Sequence, residues 1–201
     1  MPETWTTAQA ALIVDKPLDA FQKALERAPV KPKLVRRGGR TVRAFAVRDL
    51  IFLTALDDLK RDLTAAKQAE IYQALMRIPH PGSVRNVEAG HLTYDFDPYL
   101  RIVESRIAAT AKLLALIDTT GPEPLIAGTT IEAYRIAALL GGMTVAEILQ
   151  DYPSLEAAQI VAAGTYADSN PKAGRPYPKL TAKKAMREAR ASTDEFLPTR
   201  E

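Results

Sequence analysis

The stretch from Arg27 to Arg48 holds eight cationic side chains and no acid, and a Gly38-Gly39 pair divides it. The sequence alternates on either side: Lys33-Leu34-Val35-Arg36-Arg37 before the glycines, Arg40-Thr41-Val42-Arg43-Ala44-Phe45 after them. Two alternating runs joined by two residues that accept positive φ read as an antiparallel hairpin with a tight loop. The alternation puts Leu34 and Arg36 on one face and Val35 and Arg37 on the other. Such a hairpin has a cationic tip, and arginines there suit phosphate oxygens and narrow minor grooves.

Two short helices are expected ahead of it. Trp5-Thr6-Thr7-Ala8-Gln9 opens the first, with Thr6 and Gln9 spaced as a capping box and Ala10, Ala11, Ile13 and Val14 as its apolar face. Asp15-Lys16-Pro17 breaks the chain; Asp15 is read as the cap and Pro17 as a first-turn residue of the next helix. That helix is expected from Leu18 to Arg27, with Leu18, Phe21 and Leu25 on one stripe and Asp19, Gln22, Lys23 and Glu26 facing out. Two helices on a tight turn followed by a hairpin have the order of a winged helix-turn-helix. The candidate DNA contacts are Lys16, Gln22, Lys23 and Arg27 from the helices, and Lys33, Arg36, Arg37, Arg40 and Arg43 from the wing. A basic module used for protein contacts is the other reading of this pattern. Val47 to Leu53 starts a helix that is apolar on most sides and therefore buried.

Further on, Thr64 to Ile78 reads as a helix with Ile71, Leu75 and Ile78 in the core, ended by Pro79-His80-Pro81-Gly82. A small hairpin is expected from Ser83 to Phe96 around Ala89-Gly90. Asp97-Pro98 then opens a long helix to about Ile117. Tyr99, Ile102, Val103, Ile107, Ala111, Leu114 and Ile117 fall at helical spacing along it, either as intrachain core or as a dimer seam. His80 and His91 are the only histidines, and together with Asp95 and Asp97 they match no ligand spacing, so no metal is expected.

Charge divides the chain. Residues 1–80 carry a net +5, residues 81–125 a net −2, residues 126–170 a net −4 and residues 171–201 a net +4. There is no cysteine, which excludes disulfides and thiolate metal sites and suits a reducing cytoplasm. No signal peptide is read in the polar start, and no run approaches the roughly 20 apolar residues of a membrane span. There is no Ser-His-Asp set, no phosphate-binding glycine loop followed by Lys-Ser/Thr and no metal motif, so no catalytic residue, enzyme activity or cofactor is expected.

After Gly121-Pro122-Glu123-Pro124, three short helices are expected. Thr129 with Glu132 and Thr144 with Glu147 are read as capping boxes, Gly141-Gly142 and Asp151-Tyr152-Pro153 as stops, and Ser154 as the cap of a third helix to about Ala167. Asn170 to Pro178 has three prolines in its last eight residues and cannot be regular. Thr181 to Ser192 has a helical pattern but little apolar face, and Phe196-Leu197-Pro198 follows as a short anchor. The fold class expected is mainly α with small β-hairpins. Its segments are a winged helix-turn-helix (1–78), a hairpin with a long connecting or dimerisation helix (79–120), a trihelical module (121–169) and an extended basic tail (170–201).

Two resemblances bear on this. The N-terminal order of elements resembles the N-terminal domain of MerR-type regulators, with Trp5-Thr6-Thr7-Ala8-Gln9-Ala10-Ala11 standing where those proteins open on an aromatic residue and a Ser/Thr-Ala-Ala helix start. The string Ile126-Ala127-Gly128-Thr129-Thr130-Ile131, followed by Leu139 to Leu155 (Leu-Leu-Gly-Gly-Met-Thr-Val-Ala-Glu-Ile-Leu-Gln-Asp-Tyr-Pro-Ser-Leu) and Tyr166-Ala167, resembles a VapB-like antitoxin family long catalogued as a domain of unknown function. The resemblance spans about residues 122–178, including Gly174-Arg175-Pro176-Tyr177-Pro178. Ala127 and Thr130 stand where many members carry arginine, so contacts of such arginines do not carry over.

The resemblance implies a helix-turn-helix-type domain that pairs with a PIN-like ribonuclease toxin. Joined to the basic wing, it makes the expected function a type II antitoxin that represses its own promoter, as a homodimer because operators are usually palindromic. A metal-dependent ribonuclease has a carboxylate cluster that a cationic tail can enter. The candidate toxin contacts are Arg175, Tyr177, Lys183, Lys184, Arg187, Arg190 and Phe196, the alternative being an unstructured solubilising tail. The competing functional reading is a stand-alone MerR-like transcriptional regulator.

Overall fold

The computed structural model describes residues 4–37, 40–172 and 177–194. These residues are mainly helical, with small antiparallel hairpins. The chain forms two compact units, one of residues 1–110 with 168–170, the other of residues 111–167 with 171–201. No described helix is long and apolar enough to cross a membrane.

The first unit opens with α1 (Thr7–Val14). Its capping box is reciprocal: Gln9 N–H donates to Thr6 Oγ1 at 3.4 Å, and Thr6 N–H donates to Gln9 Oε1 at 3.0 Å. The expectation for Asp15 is corrected. Asp15 ends α1 rather than starting α2; it takes the left-handed conformation (φ 62°) and closes on Leu12 O. Aspartate tolerates that conformation better than most residues, and the turn uses it there. Its carboxylate pairs with Arg106 at 2.9 Å. Pro17 is accordingly the residue just before α2 (Leu18–Arg27), not one inside its first turn. Phe21 and Leu25 are buried as expected, whereas Leu18 is 37% exposed.

Strands β1 (Lys33–Arg37) and β2 (Arg40–Ala44) pair antiparallel with Arg37 opposite Arg40, the register of a two-residue loop. Trp5 and Phe45 form an antiparallel bridge just beyond β2, with N···O distances of 2.9 and 2.8 Å. The Phe45 ring also meets Phe21 of α2 edge-on at 5.6 Å. The hairpin is thus fixed at its base to the N-terminal segment and to α2.

Helix α3 (Val47–Asp62) runs through the core, with Leu50, Ile51, Phe52 and Leu53 consecutively buried. Asp49, in its first turn, accepts the Ala46 N–H at 2.8 Å and the Tyr72 O–H from α4 (Ala65–Arg77) at 2.7 Å. Burial pushes the Asp49 carboxyl above its ordinary value, and the Tyr72 and Ala46 hydrogen bonds pull against it. The expected second hairpin is β3 (Asn86–Ala89) with β4 (Leu92–Asp95). Helix α5 (Asp97–Leu114) buries Leu100, Val103 and Ile107 in this core, while Ile102 is 39% exposed. The stripe is therefore turned from the expected one, and Val103 and Ile107 serve as intrachain core. Asp97 takes Arg85 and Arg101, at 2.6 and 2.7 Å.

In the second unit Ile117 is not helical. β5 (Ile117–Asp118) pairs with β6 (Leu125–Ile126). Helices α6 (Ala133–Leu139), α7 (Val145–Asp151) and α8 (Ala157–Ser169) close around Ile126, Ile136, Ile148 and Ile160. The capping box expected of Thr129 and Glu132 does not form. Gly128, at φ 76°, turns the chain back, and the Thr129 hydroxyl is used inside that turn. It donates to Ile126 O at 2.9 Å and accepts from Ile131 N–H at 3.1 Å. Ser154 likewise does not cap α8; the Gln159 side chain reaches back to the Glu156 N–H at 2.9 Å and sets the start there. Thr144 and Glu147 do form their box. Thr144→Ala is expected to cost about 1 kcal/mol of the second unit's stability, read from its denaturation midpoint. Helix α9 (Ala182–Asp194) completes the unit.

Candidate nucleic-acid interface

On the outward face of the β1–β2 hairpin, Leu34 lies opposite Arg43 and Arg36 opposite Thr41, and all four are exposed. Val35 and Val42 turn inward half-buried, and Ala44 is buried. For Leu34, Val35 and Arg36 the alternation read from sequence is that of the structure. Arg36 and Arg43 are diagonal neighbours on one face, a spacing of roughly 7–8 Å between backbones in such sheets. Lys33 and Arg40 are exposed on the same hairpin. Among the described residues none of these four cations enters an ion pair, though Lys33 acts electrostatically on Asp49. Gly38, Gly39 and the Arg37 side chain lie outside the described residues.

Gln22, Lys23 and Arg27 are exposed on α2, beside Asp19 and Glu26. The helix face is close to neutral in charge, which suits reading base edges more than holding phosphates; Gln22 has the amide that pairs with adenine. Lys16 is placed differently from the other candidates. Its ammonium, with a side chain 22% exposed, is taken by Asp57 at 2.5 Å. Both histidines are exposed, and no three metal-ligating side chains come together among the described residues.

Of the tail candidates, Tyr177, Lys184 and Arg187 have partners in the second unit. Lys172 donates to Glu123 at 2.6 Å and sits 5.3 and 5.7 Å from the ring centroids of Tyr134 and Tyr177. The Tyr177 O–H donates to Glu132 at 2.7 Å. Lys184 donates to Glu147 at 2.7 Å and to Gly142 O at 3.2 Å, and Arg187 reaches Asp151 at 3.5 Å. Lys183 is exposed. Arg190 belongs to α9 but its side chain is not described, and Arg175 and Phe196 lie outside the described residues.

Lys184 holds the Glu147 carboxyl at about 2, helped by the Thr144 N–H and hydroxyl. A carboxyl lowered on folding strengthens the folded form at pH above its ordinary value of 4.5. That gain fades as the pH falls towards 2. Lys184→Met is expected to raise the Glu147 titration midpoint towards the ordinary carboxylate range, as followed by carboxyl-carbon NMR. An unmoved midpoint would show that Lys184 does not set it.

Residues 118–167 match the DUF433 family, described as a protein of unknown function. The matched segment begins in β5 and ends in α8, so it holds α6, α7 and most of α8 and leaves α9 outside. The chain is also similar to the uncharacterized protein y4eO of Sinorhizobium fredii (strain NBRC 101917 / NGR234), with 34% identity over 89 residues. That alignment covers 42% of this chain and 40% of the relative, so the chain spans about two fifths of that relative's length. No solved structure matches the chain. The matched segment supplies Glu123, Glu132, Glu147 and Asp151, which among the described residues are the carboxylates that receive the tail. Sequence reading found the acidic balance of this segment but not its use; only the opposite charge of segments 126–170 and 171–201 hinted at it.

Proposed function

We propose that this chain is a DNA-binding antitoxin of a type II toxin–antitoxin system, acting in the cytoplasm as a homodimer. Its first unit is read as a MerR-like winged helix that holds double-stranded DNA of its own promoter, with the β1–β2 hairpin as the wing. Its C-terminal tail is read as the segment that neutralises a PIN-like ribonuclease. The observation that carries the DNA half is the set of exposed cations Lys33, Arg36, Arg40 and Arg43, without an ion pair among the described residues, on a hairpin anchored through Phe45 to α2. Polyanion contacts need cations without internal partners, held on a rigid element. The toxin half is supported by the VapB-like resemblance of the segment that matches DUF433.

One observation favours the second reading, a stand-alone MerR-like regulator. Lys184, Arg187 and Tyr177 have acceptors within their own unit and do not need a partner to satisfy them. Two experiments decide. A gel shift on the DNA upstream of the gene tests the DNA half; no shift at low salt ends it. Co-expression with an adjacent small-nuclease gene tests the antitoxin half. Restored growth and a co-purified complex support it, whereas neither binding nor relief of toxicity leaves the regulator reading. Sedimentation of the DNA-bound protein tests the dimer, for which two half-sites about 34–36 Å apart are the geometric signature.

A further inference from the structure

The tail crosses the Gly141-Gly142 turn very closely. A Cβ placed on Gly142 would lie 2.8 Å from the Lys179 carbonyl oxygen and 3.3 Å from the Leu180 side chain. Leu180 packs against the core of the second unit. The Thr181 hydroxyl then donates to Asp151 and accepts the Lys184 N–H at 3.1 Å, which caps α9 at the point of contact. Glu147 and Asp151 are four residues apart on α7 and so share one face. Lys184 and Arg187 are three apart on α9 and meet them in turn. Docking leaves part of α9 accessible: Lys183 is exposed and Met186 is 64% exposed.

We propose that the Gly141-Gly142 turn with Glu147 and Asp151 is a docking surface for a cationic helix. In this chain α9 occupies it, and a carboxylate-rich partner surface takes α9 by exchange. The inference rests on the tail-binding half of the proposed function. Partly exposed ion pairs contribute little each, so docking is held mainly by Leu180 and the close glycine contact, and salt weakens the remainder. A partner that offers its own carboxylates replaces one acid set by another at little net electrostatic cost. Its first contacts are Lys183 and Met186, which are accessible while α9 is docked. Occupancy of the surface lowers the tail's apparent affinity for any partner by the fraction of time α9 is open.

The test uses the full chain, hydrogen exchange of the α9 amides and binding of poly-L-glutamate. Gly142→Ala blocks the close approach without changing charge; Glu147→Gln with Asp151→Asn removes the acid set. Both variants are expected to speed α9 exchange about tenfold while α6 to α8 stay as protected as in the parent, and to tighten polyglutamate binding about tenfold. The gain should vanish when Lys184 and Arg187 are alanine in the same chain. Unchanged α9 exchange in both variants overturns the proposal. So does released α9 without tighter binding, or tighter binding in the acid variant alone, which is a plain charge effect. If Gly142→Ala fails to fold, Leu180→Ala replaces it, since it removes the tail's apolar anchor on the second unit without changing charge. A chain that passes this test but leaves the nuclease active in co-expression keeps the docking surface and loses the toxin; the converse loses the exchange alone.

Discussion

Changing Arg36, Arg40 and Arg43 together to alanine is expected to weaken binding to the chain's own upstream DNA about a hundredfold at 0.15 M salt, from a counterion term of roughly fivefold per phosphate contact. The slope of log affinity against log salt should fall by about three for the same reason. The three side chains are exposed and none is ion-paired among the described residues, so their removal leaves no buried charge behind and the fold should be unaffected. A circular dichroism melt of the variant checks that. Titrations at several salt concentrations separate two outcomes. A uniform loss across DNA sequences with a flatter slope marks phosphate contacts. Unchanged affinity and slope would move the interface away from the hairpin, and Gln22 and Lys23 on α2 would be the next residues to change.

The other large effect is expected inside the first unit. Asp49 is 3% exposed and holds two donors at once, the Ala46 N–H at the start of α3 and the Tyr72 O–H from α4. Asp49→Ala leaves both donors without this acceptor, and a stranded buried polar group costs about 1–3 kcal/mol. Removal of the buried charge offsets part of that, so the net loss is expected at about 2–3 kcal/mol in denaturant unfolding. Asp49→Asn keeps an acceptor and should lose less. Tyr72→Phe removes the bond to Asp49 and the longer one the hydroxyl accepts from the Lys31 N–H at 3.4 Å, at about 1–2 kcal/mol together. The double variant should lose less than the two single losses combined, because the residues share one interaction. Additive losses would mean that the two groups act separately.

What could be read from sequence follows the range of the physics involved. The Thr6–Gln9 and Thr144–Glu147 caps close within four residues, and the Arg37–Arg40 register is set by a loop of two, so residue types at short spacing specify them. Thr129 and Glu132 have the same spacing and mislead, because Gly128 opens a competing turn that uses the threonine hydroxyl first. The β5–β6 pair has two residues per strand, too few for any alternation to be seen. On α5 several apolar residues compete for the core, and only packing chooses Leu100 over Ile102. Asp15 could have served either neighbouring helix. For the candidate site, exposed cations on an alternating hairpin were legible, because alternation alone sorts inward from outward. The pairing of Lys16 with Asp57 and of Lys184 with Glu147 joins residues 41 and 37 positions apart, and no local pattern encodes it.

Trp5 is the chain's single tryptophan, buried where the N-terminal segment bridges to Phe45 at the base of the hairpin. Its indole is therefore a built-in fluorophore for one unit only. Selective excitation of that ring follows the hairpin's anchorage during unfolding or DNA titration, while the second unit, which holds tyrosines but no tryptophan, stays dark at that wavelength. The two halves of the protein can thus be watched separately in the unlabelled chain.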